Sequence, residues 1–432
     1  MTHIGFLCPT ATGHLNSLMP LGQELQRRGH QVTFIQVADG QAKVLAAGLN
    51  CLLVGETDLP LGSIAALHAQ LAELDGLAAT RFSVQWFKKT ATVMLDEAPE
   101  VIRQAGIEAL IVDQVEFEGG TIADRLRLPF ITFCSAVLLN REDTIAPFIT
   151  HWPYNPSWWS RLRNQLGYSL VAQLTQPIFQ CINTYRQRWG LPLYHKNADS
   201  FSSLAQISQQ PAEFEYPRTA LPAQFYFTGP HHQITTREPI DFPFDKLTGQ
   251  PLIYASLGTL QNRQQGVFQT IAQACADLPV QLVLSLGNRD ATLPDLPGSP
   301  LVVPYAPQLE LLQRAALTIT HAGLNTTLES LTQGVPLVAI PITNDQPGVA
   351  SRIAWTGVGE VVPLKQVNVS RLRTAIQKVL IQPSYRQHAM RLQAAIQRSS
   401  GVTGAADIVE DVFLPYAGST QGQLTEVNWA SA

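Results

Sequence analysis

The sequence predicts an α/β protein of two doubly wound, Rossmann-like halves facing each other across a cleft, and three observations carry that reading. At 432 residues the chain exceeds one ordinary core and suits two domains of about 200 residues each. Short apolar, β-branched runs alternate with helical patterns through both halves, as in parallel strands covered on both faces. A charged, poorly periodic stretch at residues 231–250, HHQITTREPIDFPFDKLTGQ, separates the two series as a linker.

In the first half, residues 1–230, a buried strand is expected over 4–8, a helix over 15–28 closed by Gly29, and a strand over 31–37, which together make a βαβ unit. Further strands are expected at 109–112 and 130–134, with a helix over 119–126 between them. Residues 145–190 interrupt this rhythm with Trp152, Tyr154, Trp158, Trp159 and Trp189, then Leu162, Leu166, Leu170 and Leu174 at helical spacing. They read as an inserted helical subdomain. Its aromatics either pack that insertion or line a pocket for a large apolar ligand, with Trp152 and Trp158 the candidates for the second role.

The second half, residues 251–400, predicts strands at 252–256, 280–286, 301–303, 317–320, 337–340 and 359–362, then helices over 371–381 and 385–398. A separate C-terminal helix lies within 401–417, its pattern running over 405–414, and a polar, loose tail follows at 418–432. Two such domains bind ligands at the carboxyl ends of their strands, so the active site is expected in the cleft between them.

Composition narrows the partners. Charged residues are only 14% of the chain against a usual share of about 25%, and 45% are hydrophobic, which favours a filled interior and an apolar surface or cleft. A net charge of −4 with no Lys/Arg run argues against nucleic acid. The five cysteines, Cys8, Cys51, Cys134, Cys181 and Cys275, are odd in number and widely spaced, so neither a disulfide framework nor a zinc pattern is supported and a reducing cytoplasm is expected. Residues 1–3 lack the basic flank of a signal peptide, and no run reaches the ~18 apolar residues of a membrane span. Peripheral contact with a membrane surface stays open.

The segment YAPQLELLQRAALTITHAGLNTTLESLTQGVPLVAIPITNDQ, residues 305–346, carries the chemistry. A short strand stops at His321-Ala322-Gly323 and a helix begins near Leu324–Thr326, placing unpaired N–H groups and the positive dipole end where a phosphate binds. Asn325, Thr326 and Thr327 add hydroxyl and amide groups there. Four residues past Asn325, Glu329 returns to the same helix face, where its carboxylate can accept hydrogen bonds from vicinal ribose hydroxyls. In the first half His14 follows the first strand and Asp113 closes a later one. By position alone a histidine at a helix start is more often a cap or surface residue, and a strand-end aspartate more often a turn residue.

This segment resembles the donor-binding signature of the UDP-dependent glycosyltransferases, a family that includes plant secondary-metabolite, macrolide and carotenoid enzymes: YAPQ, HAGLNTTLE, GVP and DQ stand in its order. GHLNSLMPLGQELQRRGHQVTF and IVDQ extend the likeness over nearly the whole chain. IVDQ, LPFITF, LLNRE, SLAQISQ, ASLGTLQ and DQPGVASRI further resemble the bacterial zeaxanthin glucosyltransferases. The resemblance implies a GT-B fold and an inverting transfer from a UDP-sugar, with UDP-glucose and a lipophilic hydroxylated acceptor as partners and neither cofactor nor metal. It implies that His14 is the base and Asp113 its partner. Tyr305, which stands where plant members carry Trp, would stack on uracil with Gln308 near the nucleoside. Leu324 likewise replaces a common Trp. His321, Gly323, Asn325 and Thr326 would hold the diphosphate, with Ser256 and Thr259 closing that site. Glu329 would take the ribose, and Asp345 with Gln346 the transferred sugar.

Acceptor contacts are expected from Glu116, Asn140, Trp152 and Trp158, although the loop around Glu116 and Glu118 reads more readily as solvated, as does His231. Asp39 stands where dinucleotide folds keep a ribose-binding acid, but the first turn, CPTATGHLN, lacks GxGxxG, which weighs against an NAD-dependent oxidoreductase. A binding or accessory protein without catalysis is the other alternative. The intact set His14, Asp113, Glu329, Asp345 and Gln346 speaks against it. A flavonoid, polyketide or sterol is the alternative to a hydroxycarotenoid acceptor.

Overall fold

A computed structural model describes residues 1–71, 74, 76–232, 239–258, 265–287 and 293–416, so the tail expected at 418–432, part of the linker and Thr259 lie outside the described residues. The first domain contains β1 (His3–Leu7), α1 (Thr12–Arg27), β2 (Gln31–Gln36), α2 (Ala38–Ala46), β3 (Asn50–Leu53), α3 (Ser63–Leu71), α4 (Gly76–Gln104) and β4 (Ala109–Asp113). It continues through α5 (Gly119–Leu126), β5 (Phe130–Cys134), α6 (Trp158–Arg188), β6 (Gln206–Ser208) and β7 (Phe225–Phe227). The second contains β8 (Leu252–Ser256), α7 (Gln265–Cys275), β9 (Gln281–Ser285), β10 (Leu301–Val303), α8 (Gln308–Leu312), β11 (Ala315–Thr320) and α9 (Leu324–Thr332). After these come β12 (Leu337–Ala339), α10 (Gln346–Thr356), β13 (Gly359–Val361), α11 (Val369–Ile381), α12 (Pro383–Arg398) and α13 (Gly401–Phe413).

Each domain is built on a parallel sheet, ordered β3-β2-β1-β4-β5-β6-β7 in the first and β10-β9-β8-β11-β12-β13 in the second. The apolar strands β1, β4 and β8 are buried along their whole length, as central strands covered on both faces must be. In each sheet the order reverses once, at β1/β4 and at β8/β11, which opens a crevice at the carboxyl edge. Three first-domain strands were absent from the sequence reading. β3, β6 and β7 span three or four residues, too few to establish a period of two.

Two further features correct the sequence reading. The interruption at 145–190 is not a separate subdomain but a loop followed by one 31-residue helix, α6. Its Ile178, Ile182 and Tyr185 pack with Met94, Leu95 and Ala98 of α4, and the Tyr185 hydroxyl donates to Asp96 Oδ1 at 2.7 Å. The C-terminal helix is not separate either. Ala405, Ala406, Val409 and Phe413 of α13 enter the same core as Leu15, Leu18 and Leu25 of α1, and Arg28 pairs with Asp407 at 2.7 Å and Glu410 at 2.5 Å. The chain therefore leaves the first domain near Gly229 and returns beside that exit, where Gly401 N donates to Thr228 O at 2.6 Å.

Candidate active site

Strands β1, β4 and β5 are sheet neighbours and parallel, so the residues at their carboxyl ends converge. Asp113 ends β4, Ser135 follows β5, and His14 lies in the first turn of α1 after β1. His14 Nδ1 stands 2.8 Å from Asp113 Oδ2 and 2.6 Å from Ser135 Oγ, and Ser135 Oγ donates to the same carboxylate oxygen at 2.5 Å. Asp113 is fully buried, and its other oxygen accepts Val115 N at 3.1 Å. The His14 side chain keeps 22% of its surface, and no described residue hydrogen-bonds its Nε2. Burial opposes a charged imidazole here, but the charge and hydrogen bond of Asp113, with the charge of Asp345, outweigh it and hold His14 above its ordinary value. The group is a basic imidazole, oriented from one side and open on the other.

The opposing edge is built the same way. β11 runs into His321, whose ring lies over two glycines: a Cβ at Gly258 or Gly323 would come within 2.7 Å of its Cε1. Burial drives the His321 pKa down to about 4, so the ring is neutral near pH 7 and donates through one N–H. Gly323 is the N-cap of α9 and no side chain caps that helix, which leaves its first N–H groups for a ligand. Ala322, at φ 66°, takes the left-handed conformation that a non-glycine residue avoids, and turns the chain from strand to helix. Ser256, at the end of β8, accepts Gly258 N at 3.3 Å. Glu329 is 2% exposed and accepts from Gln308 Nε2, while Gln308 Oε1 accepts from the Tyr254 hydroxyl at 2.9 Å. Thr326 joins this group through Gln308 at 3.4 Å, whereas Thr327 is fully buried and faces inward, against the expectation that it adds to the anion site.

Three sets of contacts join the domains at this point. Asn325 Nδ2 donates to Gly13 O at 2.6 Å, and Gln209 Nε2 donates to Asn325 Oδ1 at 2.8 Å and to Ser135 O at 2.6 Å. Asp345 Oδ2 accepts Val137 N at 3.2 Å, and burial raises its pKa against the opposing pull of that N–H and of His14. Gln346 turns its Oε1 back to the N–H groups of Ile342 and Thr343, both at 2.9 Å, which leaves its amide NH₂ for a ligand. Deeper in the interface Arg352 of α10 forks onto Glu215, Nη2 to Oε1 at 2.6 Å and Nε to Oε2 at 2.9 Å, with both residues almost fully buried. α1 also lacks a side-chain cap, so two uncapped helix starts meet where Asn325 reaches Gly13.

The expected acceptor residues are scattered. Glu116 is not in a solvated loop: it is half-buried beside Glu118, which is 3% exposed, and burial followed by the Glu118 charge pushes Glu116 well above the usual carboxylate range. Asn140 Nδ2 donates to Gln206 Oε1 at 3.0 Å, and its carbonyl accepts from Arg218, a structural role. Trp152 and the Trp158–Trp159 stack flank an open groove on α6 whose lining includes none of His14, Asp113 or Ser135. His231, expected in solvent, is 1% exposed, with Nε2 2.9 Å from Thr228 Oγ1. Asp39 accepts Gly62 N at 3.0 Å and so anchors a loop. Tyr305 is partly buried at the end of the segment after β10.

Ser135, Gln209, Glu215 and Arg352 were missed. Ser135 closes the apolar run FITFC as Asp113 closes ALIV, so that signal was present in the sequence; the other three acquire partners only through folding.

Comparison with known proteins places this architecture. Residues 74–400 match the family described as UDP-glucoronosyl and UDP-glucosyl transferase. A zeaxanthin glucosyltransferase of Pantoea ananas is 32% identical over 417 residues, covering 96% of each chain. Another from Pseudescherichia vulneris is 29% identical, over 96% of this chain and 98% of its own. The fold matches that of the calicheamicin glycosyltransferase CalG4 with a TM-score of 0.74 at 23% identity, over 96% of this chain and 99% of that one. Two parallel-sheet domains with their switch-point edges opposed, matched along nearly their full length, make this chain a member of the UDP-glucoronosyl and UDP-glucosyl transferase family and a UDP-glycosyltransferase of GT-B fold.

Proposed function

We propose that the protein transfers glucose from UDP-glucose, with inversion, to a hydroxyl of a lipophilic acceptor, zeaxanthin or a related hydroxycarotenoid being the first choice, in the cytoplasm. The observation that carries the chemistry is the 2.8 Å contact between His14 Nδ1 and a fully buried Asp113, which leaves Nε2 as the basic atom toward the cleft. Nε2 takes the acceptor hydroxyl proton as that oxygen bonds to the anomeric carbon. The bond from that carbon to the β-phosphate oxygen breaks, and UDP leaves with the electron pair. Asp113 stabilises the imidazolium; Ser135 fixes the carboxylate.

On the donor side the open N–H groups of α9, His321, Asn325, Thr326 and Ser256 take the diphosphate, and their fixed dipoles stabilise its growing charge without a metal. Tyr305 stacks on uracil. Glu329, held by Gln308, accepts from the ribose, and Asp345 with the Gln346 amide reads the sugar hydroxyls. The acceptor class draws its support from the two zeaxanthin glucosyltransferases similar to this chain and from its low charge content.

Purified protein should be incubated with UDP-glucose and detergent-dispersed zeaxanthin, with a flavonoid, a macrolide polyketide and a sterol in parallel, and the products read by mass spectrometry and anomeric NMR. A β-glucoside of zeaxanthin is expected. Preference for another acceptor would replace the carotenoid, and an α-glucoside would rule out the single displacement.

A further inference from the structure

Helix α6 buries one side in the protein and carries an apolar row on the other. Ser160, Asn164, Ile178 and Ile182 are buried on the inner side, yet Trp158, Trp159, Leu162, Leu166 and Leu170 are 61%, 64%, 44%, 66% and 55% exposed. At the helical pitch these five fall within about one third of the circumference, a continuous outward stripe. The tryptophans stack with centroids 3.6 Å apart, and an open groove of about 440 Å³ runs along Trp159, Leu162, Leu166 and Leu170 beneath Trp152. An apolar stripe of this size on a protein surface marks an interaction site.

Charge identifies the occupant. In a chain of net charge −4, α6 has no Asp or Glu across its 31 residues and carries Arg161 and Arg163 within the stretch of the stripe, whereas Arg186 near its far end is buried against Asp124 at 2.7 Å. Arg161 is exposed beside the stripe, and Arg163 lies 4.7 Å over the Trp152 ring. The nearby acid, Asp143, is engaged by Arg141 at 3.2 Å and by Gln165 at 2.6 Å. Paired tryptophans, a leucine row and flanking arginines suit the headgroup boundary of a bilayer, where rings sit at the interface and guanidinium groups meet lipid phosphates. No helix among the described residues is long and apolar enough to cross a membrane, so the contact is one of lying on the surface.

We propose that the outer face of α6 docks this protein on a bilayer containing anionic phospholipid. The loop of residues 135–157 that leads into α6 also forms part of the cleft: Ser135 contacts His14, Val137 N reaches Asp345 Oδ2, and Trp152 packs on Gly167 of α6. Docking thus brings the cleft to the phase in which an apolar acceptor dissolves. That purpose rests on the acceptor reading above, whereas the docking geometry does not.

The test is flotation of the full chain with vesicles of phosphatidylcholine alone or mixed with phosphatidylglycerol, alongside light scattering and thermal melting. The wild type should float with the mixed vesicles, and the double variant Trp159→Ser/Leu166→Asn should bind about tenfold less while melting normally and keeping UDP-glucose turnover on a water-soluble acceptor. Arg161→Gln should weaken only the preference for anionic vesicles. Absence of wild-type flotation, or equal flotation of the double variant, would overturn the proposal. So would a wild-type dimer that the double variant dissociates, which would assign the stripe to a second copy. Flotation by a protein that transfers no sugar would sink the functional reading and leave this one standing.

Discussion

The side-chain amide of Asn325 donates to the main-chain carbonyl of Gly13 at 2.6 Å, which joins the start of α9 to the residue before His14. The two halves of the proposed reaction are therefore tied through one side chain. Asn325→Ala should raise the KM for UDP-glucose about tenfold, the equivalent of ~1.4 kcal/mol, with a smaller change in kcat. Initial rates at varied donor concentration check this, and an unchanged KM would remove Asn325 from the donor site.

His14→Ala should lower kcat by about 10²- to 10⁴-fold with little change in donor KM, as expected for a general base. Asp113→Asn should lose less, because the imidazole stays in place without its counter-charge. UDP release under saturating substrates measures both, and near wild-type turnover by His14→Ala would eliminate the base.

The pH profile has a defined sign. A base must be deprotonated to act, and His14 is held above its ordinary 6.5, so kcat/KM should rise with pH through a midpoint above 6.5. Asp345→Asn removes a nearby negative charge and should move that midpoint down. Ser135→Ala frees the Asp113 oxygen from a competing donor and should move it up, with less than about tenfold loss of kcat. The position of the limb is the readout, and opposite shifts would contradict the assigned network.

Gly323→Ala places a Cβ within 2.7 Å of His321 Cε1 and must displace that ring. Donor KM should rise about tenfold, while thermal stability changes little because the ring can swing into the cleft. Calorimetric titration with UDP checks it; wild-type affinity would show that His321 need not lie where it does.

Glu215 is a carboxylate that burial alone would drive upward, but the charges of Arg352 and Arg218 hold it below its ordinary 4.5. A depressed carboxylate contributes stability that is present above pH 4.5 and is lost as pH falls through the lower folded value. Glu215→Gln leaves Arg352 buried without its counter-charge and should cost about 3–5 kcal/mol at neutral pH. Urea unfolding at neutral and acid pH tests both points; a variant as stable as the wild type would make this interface pair dispensable.

The pairing of His14 with Asp113 was implied by the family resemblance and not by position; by itself the sequence determined the two-domain α/β class, the six strands of the second sheet, the polar ending of β4 and the strand-turn-helix segment at 305–346. These are local signals: a polar residue closing an apolar strand, and a turn that opens a helix, are legible from neighbours in the chain. Ser135 obeys the same rule and could have been found. The short strands β3, β6 and β7, at and next to the sheet edges, could not, since three or four residues establish no period. Only the tertiary structure decided that α13 completes the core of the first domain, that Glu215 and Arg352 pair across 137 residues of chain, and that Asn325 closes onto Gly13. It also turned the Leu162–Leu166–Leu170 row of α6 outward. A row of leucines has the same spacing whether it faces a core or a bilayer, and the choice belongs to whatever occupies the other side of the helix.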